Sequence, residues 1–290
     1  MSEYAERIRR EFGESDFQRD KNLTTPQDIQ RYDNIFYGKD EMQVLDVYRP
    51  KNSRKKLPVI LNVHGGGWVY GTKETYQFYA MDLAQKDFVV VNFTYRLAPE
   101  HKFPAFLEDI NSVVKWIVKN SDIYGFDLEN FFATGDSAGA HILSLYTAAL
   151  SNAELQSKFK IDFIQDFNFK ALVLNCGKYS FKKEAYKDRE LLSELLETPD
   201  DEQLLNLIET VDFITPDFPP SFLMTCQGDF LKEQTVFLVK EFTKQNVPFE
   251  FHFYREEKAQ LWHCFQNTID FEPGKKCRQQ ECDFFKSFVV

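Results

Sequence analysis

Between residues 131 and 150 the chain passes from an apolar, strand-like run (Phe131-Phe132-Ala133) through Gly135-Asp136-Ser137-Ala138-Gly139 into a helix-forming run from Ile142. No other stretch constrains the fold as much. A Gly-x-Ser-x-Gly pentapeptide between strand and helix has the layout of a nucleophile elbow, a sharp turn that holds a serine with its oxygen exposed. Gly135 and Gly139 lack a Cβ, so the turn can be tight and the strand and helix can approach closely. Ser137 then stands at the N-terminus of a helix, whose dipole favours negative charge.

The flanking sequence repeats this alternation. Residues 42–48 alternate as a strand that Pro50 ends, and Leu57–Val63 is a nearly continuous apolar run, as expected of a strand buried on both faces. Residues 74–86 and 103–120 read as helices, the second with apolar positions at Phe106, Ile110, Val113, Val114 and Ile117; residues 88–95 read as a buried strand between them. Further strands are expected at 170–175, 222–226 and 249–254, and helices at 231–245 and 277–288. Strands alternating with helices of this length predict an α/β fold: a mostly parallel sheet with helices on both faces, in one domain spanning 1–290. Two segments break the rhythm. Residues 1–40 are charged and aromatic, with short helices expected at 3–12 and 26–32, and could fold back over a cleft. Residues 178–220 carry helical spacing at Leu191, Leu192, Leu195 and Leu196, then at Leu204, Leu205 and Ile208. They read as a helical cap inserted over the C-terminal edge of the sheet, with an ordinary surface helix pair as the alternative.

Charge and cysteine usage exclude several function classes. The formal net charge of −10 and the lack of a Lys/Arg block argue against a nucleic-acid partner; residues 51–56 come nearest and read as a solvated loop. No apolar run is long enough to span a bilayer, and residues 1–12 show no apolar leader core. The five cysteines have no paired metal spacing, so free thiols in a reducing cytoplasm are expected. Of the 30 phenylalanines, most should be core and some should line a cleft.

For Ser137 to act as a nucleophile it needs an oxyanion hole, a base and an orienting acid. His64-Gly65-Gly66-Gly67-Trp68 follows the buried strand at 57–63, where sheets of this kind place their sites. Three consecutive glycines suit neither strand nor helix, so their value lies in exposed backbone N–H groups. Gly66 and Gly67 are candidate donors to a developing oxyanion, with Ala138 as the third. Among the five histidines, His64 belongs to the glycine loop, His101 lies in a loop after a strand, His141 follows the elbow and His252 sits within a strand. His263 lies in a loop after the last strand and is the candidate base. The acid should come between Ser137 and His263 in the chain. Asp229, at the end of the strand at 222–226, is the candidate; Glu233 is its rival, helix capping is the alternative role for Asp229, and Asp136 reads as structural.

The glycine loop, Tyr95-Arg96-Leu97-Ala98-Pro99-Glu100-His101-Lys102-Phe103-Pro104-Ala105 and the elbow together resemble the α/β-hydrolases of the hormone-sensitive-lipase-like group, the bacterial esterases with a His-Gly-Gly-Gly motif. The resemblance covers about residues 42–290. It implies hydrolysis of short-chain acyl esters by a Ser137-Asp229-His263 triad, a cap built from N-terminal and inserted helices, and loop-orienting roles for Arg96 and Glu100. Three departures stand out: Phe230 after the acid, where the group commonly has proline; Trp262 before the base with Cys264-Phe265 after it; and a short, charged N-terminal region. Trp68, Phe230, Trp262 and Phe265 are therefore expected to wall a substrate pocket suited to a small acyl group such as acetyl. An amidase or arylformamidase on the same scaffold, and a ligand-binding receptor that has lost the chemistry, are the alternative readings. No metal or organic cofactor is required, and no ligand cluster is visible. The partner expected is a small-molecule ester; the oligomeric state is left open, a homodimer being among the assemblies the chain allows.

Overall fold

In a computed structural model that describes residues 2–182, 189–257 and 260–290, the chain begins with α1 (Glu3–Asp20), β1 (Ile29–Phe36), β2 (Val44–Pro50), β3 (Leu57–Val63) and α2 (Gln77–Ala84). It continues with β4 (Val89–Phe93), α3 (Ala105–Lys119), α4 (Ser121–Tyr124), β5 (Phe126–Asp136), α5 (Ala138–Leu150), α6 (Ala153–Phe159) and β6 (Leu172–Asn175). The last third holds α7 (Arg189–Leu195), α8 (Glu202–Leu207), β7 (Ser221–Cys226), α9 (Lys232–Gln245), β8 (Phe249–Tyr254) and α10 (Glu272–Lys286). The strands form one sheet in the order β1-β2-β4-β3-β5-β6-β7-β8. From β4 to β8 every pairing is parallel; β1 and β2 add an antiparallel edge. This is the α/β-hydrolase fold.

Alternation along the central strands separates two apolar layers. Val59, Leu61 and Val63 of β3 and Phe131 and Ala133 of β5 join the layer that holds α3 and α5. Ile60 and Phe132 face the opposite layer, with α2 and α10. Most phenylalanines are spent here, as in the stacked pair Phe132–Phe285 at 4.8 Å. α5 is buried from Ala138 to Ala149, so the helix after the elbow is fixed on all sides.

Register aligns the strand ends. Val63 pairs with Gly135, Asp136 with Asn175, and Asn175 with Met224. The glycine loop, the elbow and the turn after β6 therefore emerge side by side at the C-terminal edge of the sheet.

Two expectations need correction. The helix expected at 26–32 is instead the start of β1, which pairs with β2 from Ile29↔Pro50 onward. Only Ile29 of this strand is buried, so no apolar helical stripe opposes edge pairing. The N-terminal helix runs from Glu3 to Asp20, well past residue 12, with Ser2 accepting the Ala5 N–H as its cap. Its sole buried side chain is Ala5, and ion pairs rather than an apolar stripe hold it, which explains why periodicity underestimated its length. Of the segment 178–220, residues 183–188 lie outside the described residues. Its described part holds α7, α8 and a short 3₁₀ turn, Thr210–Phe213, and Leu192, Leu195, Leu196 and Ile208 are buried in the α3/α5 layer. Among the described residues no helix is long and apolar enough to cross a membrane.

Candidate active site

The elbow geometry follows from its glycines. A Cβ on Gly139 would stand 2.1 Å from the Val63 carbonyl oxygen, and one on Gly135 would stand 2.7 Å from the Gly139 oxygen. Only glycine lets α5 pack this closely on β3 and β5. Ser137 is held at φ 51°, ψ −117°, a strained conformation for a side-chain-bearing residue. The turn is pinned from β6: the Ser137 N–H donates to the Asn175 carbonyl at 2.9 Å.

The glycine loop is shaped from beneath. Gly66 and Gly67 sit at φ 118° and 61°, and a Cβ on Gly66 would meet the Tyr70 carbonyl oxygen at 2.1 Å. His64 is fully buried, stacked on Tyr95 at 4.1 Å, and donates from Nδ1 to the Gly65 carbonyl. Burial pushes its pKa down to about 4, so it is neutral and structural. Tyr76 joins loop to elbow, accepting the Gly65 N–H at 3.0 Å and donating to Asp136 Oδ2 at 2.9 Å. Asp136 also accepts from Asn267 Nδ2 and so braces the turn.

His263 Nδ1 lies 2.7 Å from Asp229 Oδ1. Asp229 is buried and accepts two more hydrogen bonds, from Thr225 Oγ1 at 2.6 Å and from the Leu231 N–H at 2.8 Å. Burial alone would raise its pKa, but these donors and His263 hold it below the ordinary carboxylate value. For His263 burial works against the imidazolium, and the Asp229 carboxylate together with the Cys176 sulfur outweighs it, so its pKa is raised. The rival acid Glu233 is exposed on α9. His101 pairs with Asp40, and His252 lies on β8 against Phe222 and Glu250. His141 is buried with its pKa lowered to about 4; its Nδ1 accepts from Trp68 Nε1 at 3.2 Å and its Nε2 donates to the Ile208 carbonyl at 2.9 Å.

Ser137, His263, Gly66 and Gly67 line one cavity of about 760 Å³. Trp68, Phe230 and Trp262 line it too. Trp68 is an inner wall fixed by His141, whereas Phe230 and Trp262 are 75% and 45% exposed at the rim. Phe230 sits over the His263 ring, with centroids 4.3 Å apart. The expected pocket role of Phe265 is corrected: its side chain is fully buried beneath the site, against Tyr254 and Phe271. The left-handed backbone at Cys264 (φ 57°) turns the chain between Phe265 and the cavity.

Sequence reasoning expected the N-terminal and inserted segments near a cleft but named none of their lining residues, and it missed one side-chain cluster. Tyr4, Ile8, Phe12, Asp16 and Arg19 of α1 form a cavity wall, and Leu191 of α7 reaches the same space. The charges that obscured an apolar stripe are the anchors: Arg9 bonds Glu100 and the Val69 and Ala98 carbonyls, and Arg19 bonds Asp16, Asp20 and the Thr75 carbonyl. Arg96 instead bonds Asp109 and Glu108 at the start of α3. The missed cluster is one of metal-ligating atoms. Cys176 Sγ, Cys264 Sγ and a ring nitrogen of His263 all lie within 4.8 Å of one another. Cysteine spacing could not reveal it, because the turn after β6 and the loop after β8 converge only in the fold.

A family model described as BD-FAE matches residues 45–240, from β2 into α9. The chain belongs to that family. This BD-FAE member is an α/β-hydrolase of the hormone-sensitive-lipase-like esterase group. It is 30% identical over 165 residues to esterase LipC of Mycobacterium tuberculosis, a match that covers 56% of this chain and 40% of LipC. With the versiconal hemiacetal acetate esterase of Dothistroma septosporum it shares 26% identity over 232 residues, 74% of this chain and 70% of that one. Its structure resembles esterase B of Lactobacillus rhamnosis inhibited by a C4-C4 tributyrin phosphonate, with a TM-score of 0.90, 25% identity and coverage of 99% and 96% of the two chains.

Proposed function

We propose that the protein is a serine carboxylesterase that hydrolyses short-chain acyl esters through an acyl-enzyme, with Ser137, His263 and Asp229 as its triad. The observation that carries this reading is the 2.7 Å Asp229–His263 bond opening onto the cavity that also holds a strained Ser137. With Nδ1 committed to Asp229, Nε2 of His263 is the nitrogen that takes the Ser137 proton as Oγ attacks the ester carbonyl. The N–H groups of Gly66, Gly67 and Ala138 hold the oxyanion; Ala138 begins α5, so its N–H has no carbonyl one turn earlier in the helix to bond. His263 then protonates the departing alcohol, and water activated by the same imidazole releases the acid.

The bulky walls support a small acyl group: Trp68 is immobilised by His141, and Phe230 covers His263. We read α1 together with the inserted segment as a two-part cap, since both contribute to the cavity lining. Of the rest of the first 40 residues, Ile29–Phe36 belong to the sheet as β1. Five free thiols, four of them buried, support a reducing, cytoplasmic setting. A serine-directed phosphonate followed by peptide mass spectrometry tests the assignment. The expected adduct is on Ser137; an unmodified Ser137 in a chain that still cleaves nitrophenyl acetate would overturn it. Faster turnover of nitrophenyl decanoate than of the acetate would overturn the short-chain preference.

A further inference from the structure

The two thiols beside His263 are unneeded by ester hydrolysis, yet both are set with care. Cys176 and Cys264 each occupy left-handed backbone, at φ 49° and 57°. That conformation costs a side-chain-bearing residue energy and persists where the surroundings enforce it. Cys176 is buried on the turn after β6, and Cys264 lines the cavity, so the cluster opens to solvent through the substrate pocket. Both are free cysteines.

We infer that Cys176, Cys264 and His263 form a tridentate site for a thiophilic divalent cation such as Zn²⁺, reached through the substrate cavity. The donor set is right for the metal: zinc takes thiolate sulfur at about 2.3 Å and imidazole nitrogen at about 2.0 Å, with tetrahedral geometry. Those bonds place neighbouring donor atoms about 3.5–3.8 Å apart. The three atoms here already lie within 4.8 Å of one another, so closure needs shifts of about 1 Å or less. Cys264 and His263 line the cavity, from which a water would complete a four-coordinate set.

The second shell is also in place. Asp229 accepts from His263 Nδ1 at 2.7 Å, which fixes the tautomer and leaves the Nε2 lone pair as ligand, the carboxylate–histidine–metal arrangement of established zinc sites. The Asp136 carboxylate acts electrostatically on Cys264, and its negative charge attracts a dication. On binding, water ligands leave the hydrated cation, two S–H protons pass to water, and two metal–sulfur bonds and one metal–nitrogen bond form, with no change in oxidation state. The metal takes the lone pair with which His263 would accept the Ser137 proton. Occupancy and ester turnover are therefore mutually exclusive, and the site is an inhibitory switch. This consequence rests on the proposed role of His263; the binding itself does not.

Cobalt(II) is the probe, added to the full chain in a non-thiol reductant. The expected result is one Co²⁺ per chain with a near-ultraviolet thiolate-to-cobalt charge-transfer band, displaced by Zn²⁺ and abolished by a chelator. Cys264→Ser should weaken binding at least about tenfold and remove roughly half of the band. Zinc should also protect Cys264 and Cys176 of the unaltered chain from alkylation, read by mass spectrometry, which needs no variant to fold. Absence of the band, or its persistence at full intensity in a folded Cys264→Ser chain, would overturn the proposal. Inhibition by Zn²⁺ that a chelator reverses is the functional counterpart. If the metal-free chain hydrolyses no ester, the esterase reading fails while the cobalt spectrum still decides the metal site.

Discussion

Asp229 Oδ1 and His263 Nδ1 are 2.7 Å apart, although 34 residues separate them in the chain. Asp229 is also bound by Thr225 and Leu231, so the carboxylate is fixed before the histidine arrives. Asp229→Asn should lower kcat on nitrophenyl acetate by about 10³–10⁴-fold with little change in KM, because an amide can stabilise the wrong imidazole tautomer and cannot stabilise the imidazolium. Steady-state kinetics on the folded variant check this; a loss under tenfold would transfer the orienting role elsewhere.

Gly66→Ala tests the proposed oxyanion loop. The added methyl would lie 2.1 Å from the Tyr70 carbonyl oxygen, at φ 118°, so the loop must move. Displacing one donor should cost about 10²–10³ in kcat. Phosphonate labelling of Ser137 should slow in parallel, since the same donors hold the phosphonyl oxygen.

Arg9 is the main tie between α1 and the loops beneath it, through Glu100, Val69 and Ala98. Arg9→Ala should cost about 1–2 kcal/mol, the value of charge-assisted hydrogen bonds discounted for partial exposure. The expected kinetic signature is a raised KM with kcat within a few-fold, accompanied by faster proteolytic cleavage in the first twenty residues. Unchanged KM would remove α1 from the binding wall.

Phe230 is 75% exposed with its ring over His263. Phe230→Ala should change stability by no more than about 0.5 kcal/mol, while the ratio of decanoate to acetate turnover rises roughly threefold or more as the rim opens. Paired rate measurements on the two nitrophenyl esters decide it.

Glu281 offers a pH test away from the site. It is fully buried, and desolvation raises its pKa above 4.5 despite hydrogen bonds from Tyr79, Cys277 and Asn175. The folded state therefore binds more protons than the unfolded state above that value, and stability falls as pH rises through the folded pKa. Glu281→Gln removes this slope and, with one acceptor oxygen facing three donors, loses stability at acid pH. Unfolding midpoints across pH 4.5–8 should converge for wild type and variant as pH rises, reading about 1–2 kcal/mol apart at the acid end; parallel curves would contradict it.

The sheet, the elbow and the three proposed triad positions were legible because each is written locally. Leu57–Val63 is an unbroken apolar run, Gly135 and Gly139 bracket Ser137, and Asp229 and His263 each follow a strand. What could not be read depends on long-range charge or on convergence. α1 buries only Ala5 and docks through Arg9 and Arg19, leaving no period to detect. β1 pairs along an edge with mostly exposed side chains. Phe265 follows the same histidine that Trp262 precedes, and only the left-handed turn at Cys264 sends one ring outward and the other into the core.

The wall that α1 lends to the cavity divides the molecule into two parts that can evolve at different rates. The proposed reacting groups stand on turns and loops beyond the C-terminal ends of β5, β7 and β8, where at the elbow a misplaced methyl would be punished through several packed layers. The helix opposite rests on arginine forks and a thin apolar seam, so those of its cavity-facing residues that are not anchors, such as Tyr4 and Phe12, can be exchanged at small cost to the fold. Under the proposed function, which esters are admitted and how they are cleaved are thereby partly separable traits, and the first twenty residues are one wall, beside Trp68, Phe230 and Trp262, through which the first can change.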